Sequence, residues 1–251
     1  MLISVVSFID DLAQVSYKVR LVMQITATSL LLVQLGLAPM PWWAWFLALL
    51  MATAIINAFN FMDGINGITA GYSLSALIGL WIVNNYQVSF AGNDLLYAAG
   101  MAVVIFGFYN FRNHARCFAG DIGAVSISFI LVFFTCKLIL ATGNPLYLMF
   151  LVIYGVDTFM TILYRLIRRE NIFAAHRQHL FQLLANESGI SHVKVSAGYA
   201  IVQLIINLII LASIGRLSYI CMLFLSAGII FILAASYLII KKRYIFYQAK
   251  S

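Results

Sequence analysis

Long apolar runs dominate this chain and determine the solvent in which it can fold. Eight of them approach the length that crosses a bilayer, because about 20 helical residues span roughly 30 Å of hydrocarbon. They lie near residues 21–38, 42–61, 71–88, 95–111, 123–141, 145–164, 196–214 and 217–240. Of the 251 residues, 64% are hydrophobic and only 9% are charged, which is too little charge for a soluble domain of this length. We therefore predict an all-α polytopic membrane helix bundle of about eight transmembrane helices, forming one domain over residues 1–251.

The distribution of lysine and arginine predicts the orientation of this bundle. If successive loops alternate sides, the side of Asp10 and Asp11 also carries nearly all of the basic residues. These are Lys18, Arg20, Arg112, Arg116, Arg165, Arg168, Arg169, Arg177, Lys194, Lys241, Lys242, Arg243 and Lys250. The opposite side has Arg216 alone, and Lys137 lies inside a run. The positive-inside rule makes the first side cytoplasmic, so the net charge of +7 indicates topology and contact with membrane lipid, and we expect no nucleic-acid partner.

The first nine residues are apolar but too short to span a bilayer. No basic residue precedes them, so they do not have the pattern of a signal peptide. They are typical of the last turns of a helix. We expect further apolar spans upstream of Met1 in the natural protein.

Three polar clusters lie on the predicted cytoplasmic side. They are Asp10-Asp11, the stretch 57–67 with Asn57, Asn60, Asp63 and Asn66, and the stretch 119–123 with Asp121. Carboxylates near lipid are usually kept for ion or substrate chemistry. Asn57, Asn60 and Asp63 follow each other at spacings of three residues, so they share one face of a helix. A polar stripe at the membrane edge indicates a polar ligand, although a lone Asp pair is often a solvated helix end and Asp121 is also suited to a helix cap.

A second set of side chains supplies positive charge to the same side. His176 and His179 share a helical face, Arg177 lies between them, and Arg112 precedes Asp121 in the chain. Zinc would need three or four nitrogen or sulfur ligands, and no third clustered ligand is present. Contacts with phosphate or sugar hydroxyls suit these residues better.

Two further charges lie within apolar runs. We expect Asp157 to pair with one of Arg165, Arg168 and Arg169, which follow it by two to three helical turns, and Lys137 to reach the interface or pair within the bundle. Both are interpreted as structural.

The combination of carboxylates and cations favours phosphate chemistry with a hard cation. Mg²⁺ takes one or two carboxylates and completes its shell with substrate phosphates and water. The main barrier to joining two phosphates is electrostatic, and a metal ion and preorganised cations lower it. The sequence therefore predicts a site for Mg²⁺, or Mn²⁺, that also binds anionic phosphates at the membrane surface.

Four ordered motifs carry a resemblance to a known family. FIDD at residues 8–11, NAFNFMDGING at 57–67, CFAGDIGA at 117–124 and HRQHL at 176–180 resemble the polyprenyl-phosphate N-acetylhexosamine-1-phosphate transferases. This is the MraY/WecA-like group, glycosyltransferase family 4. The resemblance implies transfer of an N-acetylhexosamine-1-phosphate from a UDP-N-acetylhexosamine to undecaprenyl phosphate at the bacterial inner membrane. The products would be a lipid-diphospho-sugar and UMP, which begins cell-wall or surface polysaccharide synthesis of the O-antigen type.

The resemblance also implies roles for individual residues. It makes Asp121 the main Mg²⁺ ligand, with Asp11 beside it, and assigns catalytic roles to Asp10, Asp11 and Asp63. Phe118 matches an aromatic that stacks on uracil. The residues expected to bind substrate are Asn57, Asn60, Asn66, Phe118, Arg112, His176, Arg177 and His179.

Departures from the family pattern leave alternatives open. Asn66 replaces a second Asp, Phe181 and Gln182 replace histidines, and Ala124 replaces a frequent Ser. An ion-coupled transporter and an inactive, shortened family member stay as alternative functions. Direct attack by the lipid phosphate and a covalent phospho-sugar on Asp63 or Asp11 stay as alternative mechanisms. The donor sugar and a homodimeric state are also open.

Overall fold

The helices of the protein follow its apolar runs. The computed structural model describes Ser4 and residues 16–172 and 177–248, without the side chains of Tyr17 and residues 244–248. The long helices are α1 (Tyr17–Gln34), α2 (Trp42–Met62), α3 (Ile68–Tyr86), α4 (Asn93–Asn110), α5 (Gly120–Thr142), α6 (Val152–Ile167), α7 (His192–Ser213) and α8 (Tyr219–Gln248). A 3₁₀ segment, Pro145–Leu151, precedes α6, and a short turn, Leu180–Gln182, continues into a π turn, Leu183–Glu187.

The all-α prediction is confirmed, and a helix covers each of the eight apolar runs. Within the described residues, five segments are long and apolar enough to cross a membrane. They are Trp42–Met62, Gly120–Thr142, Pro145–Ile167, His192–Ser213 and Tyr219–Arg243. The count of about eight crossing helices stays a prediction. Large apolar side chains such as Phe224 and Phe231 are exposed on α8, as expected for a surface that faces lipid.

Polar side chains connect the central helices α3 and α7. The Tyr72 hydroxyl donates to Gln203 Oε1 at 3.0 Å, and the Ser75 hydroxyl donates to the Ala200 carbonyl at 2.8 Å. Asn207 Nδ2 of α7 donates to the Ser75 carbonyl of α3 at 2.9 Å. Small and polar residues hold membrane helices together because lipid tails are as apolar as the helix surfaces and provide no hydrophobic driving force.

Gln203 also satisfies backbone groups at the break before α6. The chain leaves α5 through Gly143, and the 3₁₀ segment that follows cannot form the regular hydrogen bonds of an α-helix. Gln203 Nε2 donates to the Met149 carbonyl at 2.9 Å, and the Ile153 amide donates to Gln203 Oε1 at 3.2 Å. One fully buried amide therefore holds the interrupted helix against α7.

We predict that Gln203→Leu destabilises the protein by about 1–3 kcal/mol, because it leaves buried backbone groups without partners. Thermal unfolding in detergent measures the effect. Gln87→Leu is the matched control, because Gln87 is exposed and accepts only one long bond, from Tyr147 at 3.4 Å. Equal unfolding temperatures for the two variants would contradict this role of Gln203.

Candidate active site

The candidate site forms where three long helices begin or end. Asp63 directly follows the last residue of α2, Thr69 lies in the first turn of α3, and Asp121 lies in the first turn of α5. Arg20 extends from α1 and completes the group. The fold thus brings together two of the polar clusters that the sequence separates by about 60 residues.

Asp63 and Asp121 interact electrostatically. The Thr69 hydroxyl donates to Asp63 Oδ1 at 2.5 Å. Burial raises the pKa of the Asp63 carboxyl from 3.8 to about 6, the bond from Thr69 lowers this pKa, and the charge of Asp121 raises it. The two carboxylates are therefore close enough for each to affect the other. Asp10 and Asp11 lie outside the described residues.

Asp121 is held by an ion pair that the sequence does not reveal. Arg20 Nη1 lies 2.6 Å from Asp121 Oδ2. The carboxylate also lies at a helix N-terminus, where the backbone dipoles favour negative charge. From the sequence, Arg20 was interpreted only as one of the basic residues of the cytoplasmic loops. Its partner is about 100 residues away, and a pairing at that distance leaves no pattern in the neighbouring sequence.

Asn110 organises the loops around the site and was also missed by the sequence analysis. The Gly67 amide donates to Asn110 Oδ1 at 2.7 Å, and Asn110 Nδ2 donates to the Cys117 carbonyl at 2.8 Å. Gly67 has a φ of 86°, and a Cβ there would lie 2.5 Å from the ring of Phe111. Only glycine fits this position. The sequence offered one indication of this role: Asn110 is a polar residue at the end of an apolar run.

Asn66 and Arg112, two of the predicted substrate-binding residues, contact the protein itself. Asn66 Nδ2 donates to the carbonyls of Arg112 and Asn113 at 3.0 and 3.1 Å. Arg112 Nε donates to the Phe108 carbonyl at 2.6 Å, and the guanidinium lies 4.4 Å from the centre of the Phe108 ring. These contacts fix the loop beside the site. Substrate binding by either residue stays a prediction.

The predicted polar face of α2 leads from the site into a cavity. Asn57 Nδ2 donates to the Thr53 carbonyl at 2.9 Å, and Asn60 is partly buried one turn before Asp63. Asn57 and Phe61 border a cavity of about 310 Å³ between α2 and α6, which Tyr154 also lines. The lining is almost wholly apolar apart from these few polar groups.

Phe118 is one of the most exposed aromatic residues, with 74% of its surface accessible. It borders a second cavity of about 310 Å³ between α3, α4 and α5, which Thr69 also lines. Phe118 precedes Asp121 by three residues. The ring is therefore free to stack on a planar group bound beside Asp63 and Asp121.

His179 of the histidine motif lies against the same site but is buried. His179 is 2% exposed, and its ring stacks on Phe61 of α2 with 6.3 Å between ring centroids. Arg177 is exposed, and His176 lies outside the described residues. Substrate contact by all three residues stays a prediction.

The predicted partner of Asp157 was wrong. Asp157 Oδ1 lies 3.4 Å from His179 Nδ1, and Asp157 Oδ2 accepts the Tyr199 hydroxyl at 2.7 Å. Arg165 instead pairs with Glu170, at 3.3 Å. Arg165, in the last turn of α6, is directed toward the loop residues Glu170 and Asn171, so Asp157 is satisfied from other elements.

The described residues fit a magnesium ion held mainly by substrate. No group of three His, Cys, Asp or Glu side chains able to hold a metal occurs within residues 16–172 and 177–248. Asp63 and Asp121 are nevertheless two neighbouring carboxylates whose repulsion a cation would relieve. Mg²⁺ needs only one or two carboxylates when phosphates and water supply its other ligands.

Comparison of the sequence with known proteins points to one family. A model of the glycosyl transferase family 4 matches residues 1–139. A probable undecaprenyl-phosphate N-acetylglucosaminyl 1-phosphate transferase of Bacillus subtilis (strain 168) is 28% identical over 76% of this chain and 57% of that protein. A phospho-N-acetylmuramoyl-pentapeptide-transferase of Thermotoga petrophila is 28% identical over 69% of this chain and 55% of that protein.

An undecaprenyl-phosphate alpha-N-acetylglucosaminyl 1-phosphate transferase of Escherichia coli (strain K12) is 25% identical over 84% of this chain and 61% of that protein. The chain therefore spans little more than half the length of these relatives. The family model nevertheless covers more than half of the chain, including the first three of the four motifs, and confirms the resemblance to the family. The chain belongs to the glycosyl transferase family 4.

Proposed function

We propose that this protein transfers a sugar-1-phosphate from a UDP-N-acetylhexosamine to a polyprenyl phosphate, giving a lipid-diphospho-sugar and UMP. One observation carries the proposal: in a chain of this family, Asp63 and Asp121 meet at the ends of apolar helices. That is the place where a soluble nucleotide and a lipid phosphate can meet. The names of the relatives support the same class of reaction.

The donor binds on the side of Asp121 and Phe118. The diphosphate needs positive charge, which Mg²⁺ would supply when bound; Asp121 would hold the ion, with Asp11 as a further ligand. Arg20 holds Asp121 in place through their ion pair. Phe118 stacks on the uracil, because an exposed aromatic ring beside a charged site offers a face to a planar base.

The acceptor binds on the side of α2 and α6. The cavity between these helices is apolar and suits the first isoprenoid units of the lipid. Its lining residue Phe61 lies two residues before Asp63. A chain lying in this cavity therefore brings its phosphate to the carboxylates.

Asp63 accepts the last proton of the lipid phosphate. A phosphomonoester has a second pKa near 6, and burial raises the pKa of Asp63 to about 6 as well. Matched pKa values favour proton transfer near neutral pH.

The deprotonated oxygen of the lipid phosphate then attacks the sugar-linked phosphorus of the donor. The bond from this phosphorus to the bridging oxygen breaks, and UMP leaves. This direct route is the one we propose over a covalent phospho-sugar on Asp63.

The reaction takes place on the cytoplasmic side of the bacterial inner membrane. The excess of lysine and arginine on the loops around the site supports this orientation. We propose N-acetylglucosamine as the first donor sugar to test, since the Bacillus and Escherichia relatives are named for it. Synthesis of a cell-wall or surface polysaccharide is the proposed pathway.

We predict that the purified chain in nanodiscs releases UMP from UDP-N-acetylglucosamine only with Mg²⁺ and undecaprenyl phosphate. Asp121→Asn should lower kcat by about 10²–10³-fold, because it weakens charge stabilisation at the reacting phosphates. Asp94→Asn is the control, since Asp94 is exposed in the first turn of α4 and far along the chain from the motifs. Tight donor binding without UMP, or ion-driven uptake into vesicles without UMP, would overturn the proposed transferase.

Phe118→Leu should raise the KM for the UDP-sugar about tenfold or more, because stacking on a base contributes roughly 1–3 kcal/mol. The value of kcat should change little. Phe224→Leu is the matched control, since Phe224 of α8 is also 74% exposed. An unchanged KM in steady-state assays of Phe118→Leu would remove the stacking role.

Asp63→Asn should stabilise the metal-free protein above pH 6. The folded-state pKa of Asp63 is raised to about 6 from 3.8, so the protonated carboxyl is the form that the fold favours. Its contribution to stability is fully present below about pH 4 and is lost as the pH rises through 6. The unfolding temperature of the variant should therefore exceed that of the wild type increasingly between pH 4 and 7.

Added Mg²⁺ should raise the unfolding temperature of the wild type at pH 8, because a ligand that binds only the folded state stabilises it. Asp121→Asn should respond less. Identical responses to Mg²⁺ in the two proteins would show that Asp121 does not contact the ion.

A further inference from the structure

Asp157 is a carboxylate inside a membrane-spanning segment, and it is only 3% exposed. A charge at this depth is costly unless several donors surround it. The Tyr199 hydroxyl donates to Oδ2 at 2.7 Å, and the Leu180 amide donates to Oδ1 at 3.0 Å. His179 Nδ1 lies 3.4 Å from Oδ1, and the Thr161 hydroxyl lies 3.3 Å from it. Two of these four donors belong to the histidine motif.

The C-terminal helix holds the same motif from a second side. Lys241 of α8 is 5% exposed, and its Nζ donates to the Gln178 carbonyl at 3.3 Å and to the Tyr237 hydroxyl at 2.6 Å. The ammonium also lies 3.8 Å from the centre of the Tyr164 ring, within cation–π range. The Tyr237 hydroxyl bonds to Thr161 at 2.9 Å and so joins this contact to the neighbours of Asp157.

The beginning of the loop is fixed to the end of α6. Arg165 Nη2 donates to the Asn171 carbonyl at 2.7 Å, and Arg165 Nε lies 3.3 Å from Glu170 Oε2. Gln178 Nε2 then donates to Glu170 Oε2 at 3.1 Å. Both ends of the segment that leads to His179 are therefore attached to the membrane helices.

The far side of the motif packs on the candidate active site. The His179 ring lies between Phe61 and Phe181, with centroids 6.3 and 5.9 Å away. A Cβ on Gly64, the residue after Asp63, would lie 3.0 Å from the ring of Phe181. The position of the histidine motif and the position of the Asp63 turn therefore depend on each other.

We propose that Asp157 and His179 form a buried anchor that places the loop carrying Arg177 beside Asp63, so that both are positioning residues for the transfer. This inference rests on the proposed function. His179 directs its Nδ1 to a carboxylate deep in the bundle, and exposed Arg177, two residues earlier, is the cation presented to the phosphates. The anchor joins α6, α7 and α8 to the turn after α2. A packing contact alone would not need four donors on one buried carboxylate.

Tyr199→Phe and Asp157→Asn test the anchor. Tyr147→Phe is the matched control, since Tyr147 is also a buried tyrosine, with one long hydroxyl bond to Gln87 at 3.4 Å. Three quantities are measured on each protein in nanodiscs: the unfolding temperature, the rate of tryptic cleavage after Arg177, and kcat and KM for the UDP-sugar. We expect both anchor variants to be cleaved after Arg177 about tenfold faster. Their kcat/KM should fall about tenfold or more, because small misplacements of positioning groups are costly.

The anchor also predicts non-additive effects. Asp157→Asn and His179→Asn break the same contact, so their combined effect on kcat/KM should be smaller than the product of the single effects. Arg177→Lys should lower kcat/KM without changing the cleavage rate of the loop or the unfolding temperature. Multiplicative effects of the first two substitutions would overturn the anchor.

The outcomes separate this inference from the proposed function. One outcome is that the anchor variants are cleaved faster after Arg177 while the wild-type protein releases no UMP. The anchor would then hold the loop, but its role in transfer and the transferase activity would both be overturned. The other outcome is that Tyr199→Phe and Tyr147→Phe lower UMP release only as much as they lower the amount of folded protein, and that cleavage after Arg177 is unchanged. This result would overturn the anchor and leave the transferase intact.

Discussion

The lack of water in the hydrocarbon core is the constraint on which this structure depends. A polar group placed there has to find its partners within the protein. Gln203 supplies partners for the backbone of the interrupted helix before α6. Asp157 finds its own partners in Tyr199 and in the histidine motif. Each such group fixes the relative positions of two or more helices. Apolar packing alone would not fix them, because lipid is as apolar as the helix surfaces.

The same constraint separates the chemistry into two depths. Asp63 and Asp121 lie at helix ends, where burial and the neighbouring charge of Asp121 raise the pKa of Asp63 to about 6. Perturbed groups of this kind are typical of functional sites. Asp157 lies deeper and is fully satisfied by donors. Asp63 and Asp121 are the carboxylates that we propose for the reaction, and Asp157, which several donors surround, is the one that we propose to position a loop.

Much of the fold could be predicted from the sequence, because hydrophobic length and helix formation are local properties. A helix covers every apolar run, yet the run at 145–164 begins as a 3₁₀ segment whose backbone depends on a glutamine of α7. The partner of Asp157 was predicted wrongly for a related reason. Arg165 is eight residues away, which is about 12 Å along a helix. His179 and Tyr199 come closer through the fold, and neither leaves a periodic signal near Asp157.

The sequence by itself determined that the chain is a membrane helix bundle of the glycosyl transferase family 4, since residue types and their order suffice for this, and it predicted which polar stretches carry the chemistry. Only the tertiary structure decided that Arg20 pairs with Asp121, that Asn110 joins the two loops, and that His179 is buried against Asp157. Such pairings join residues 22 to 101 positions apart. They are selected by the need to satisfy buried polar groups across helices, and that need can be read only in three dimensions.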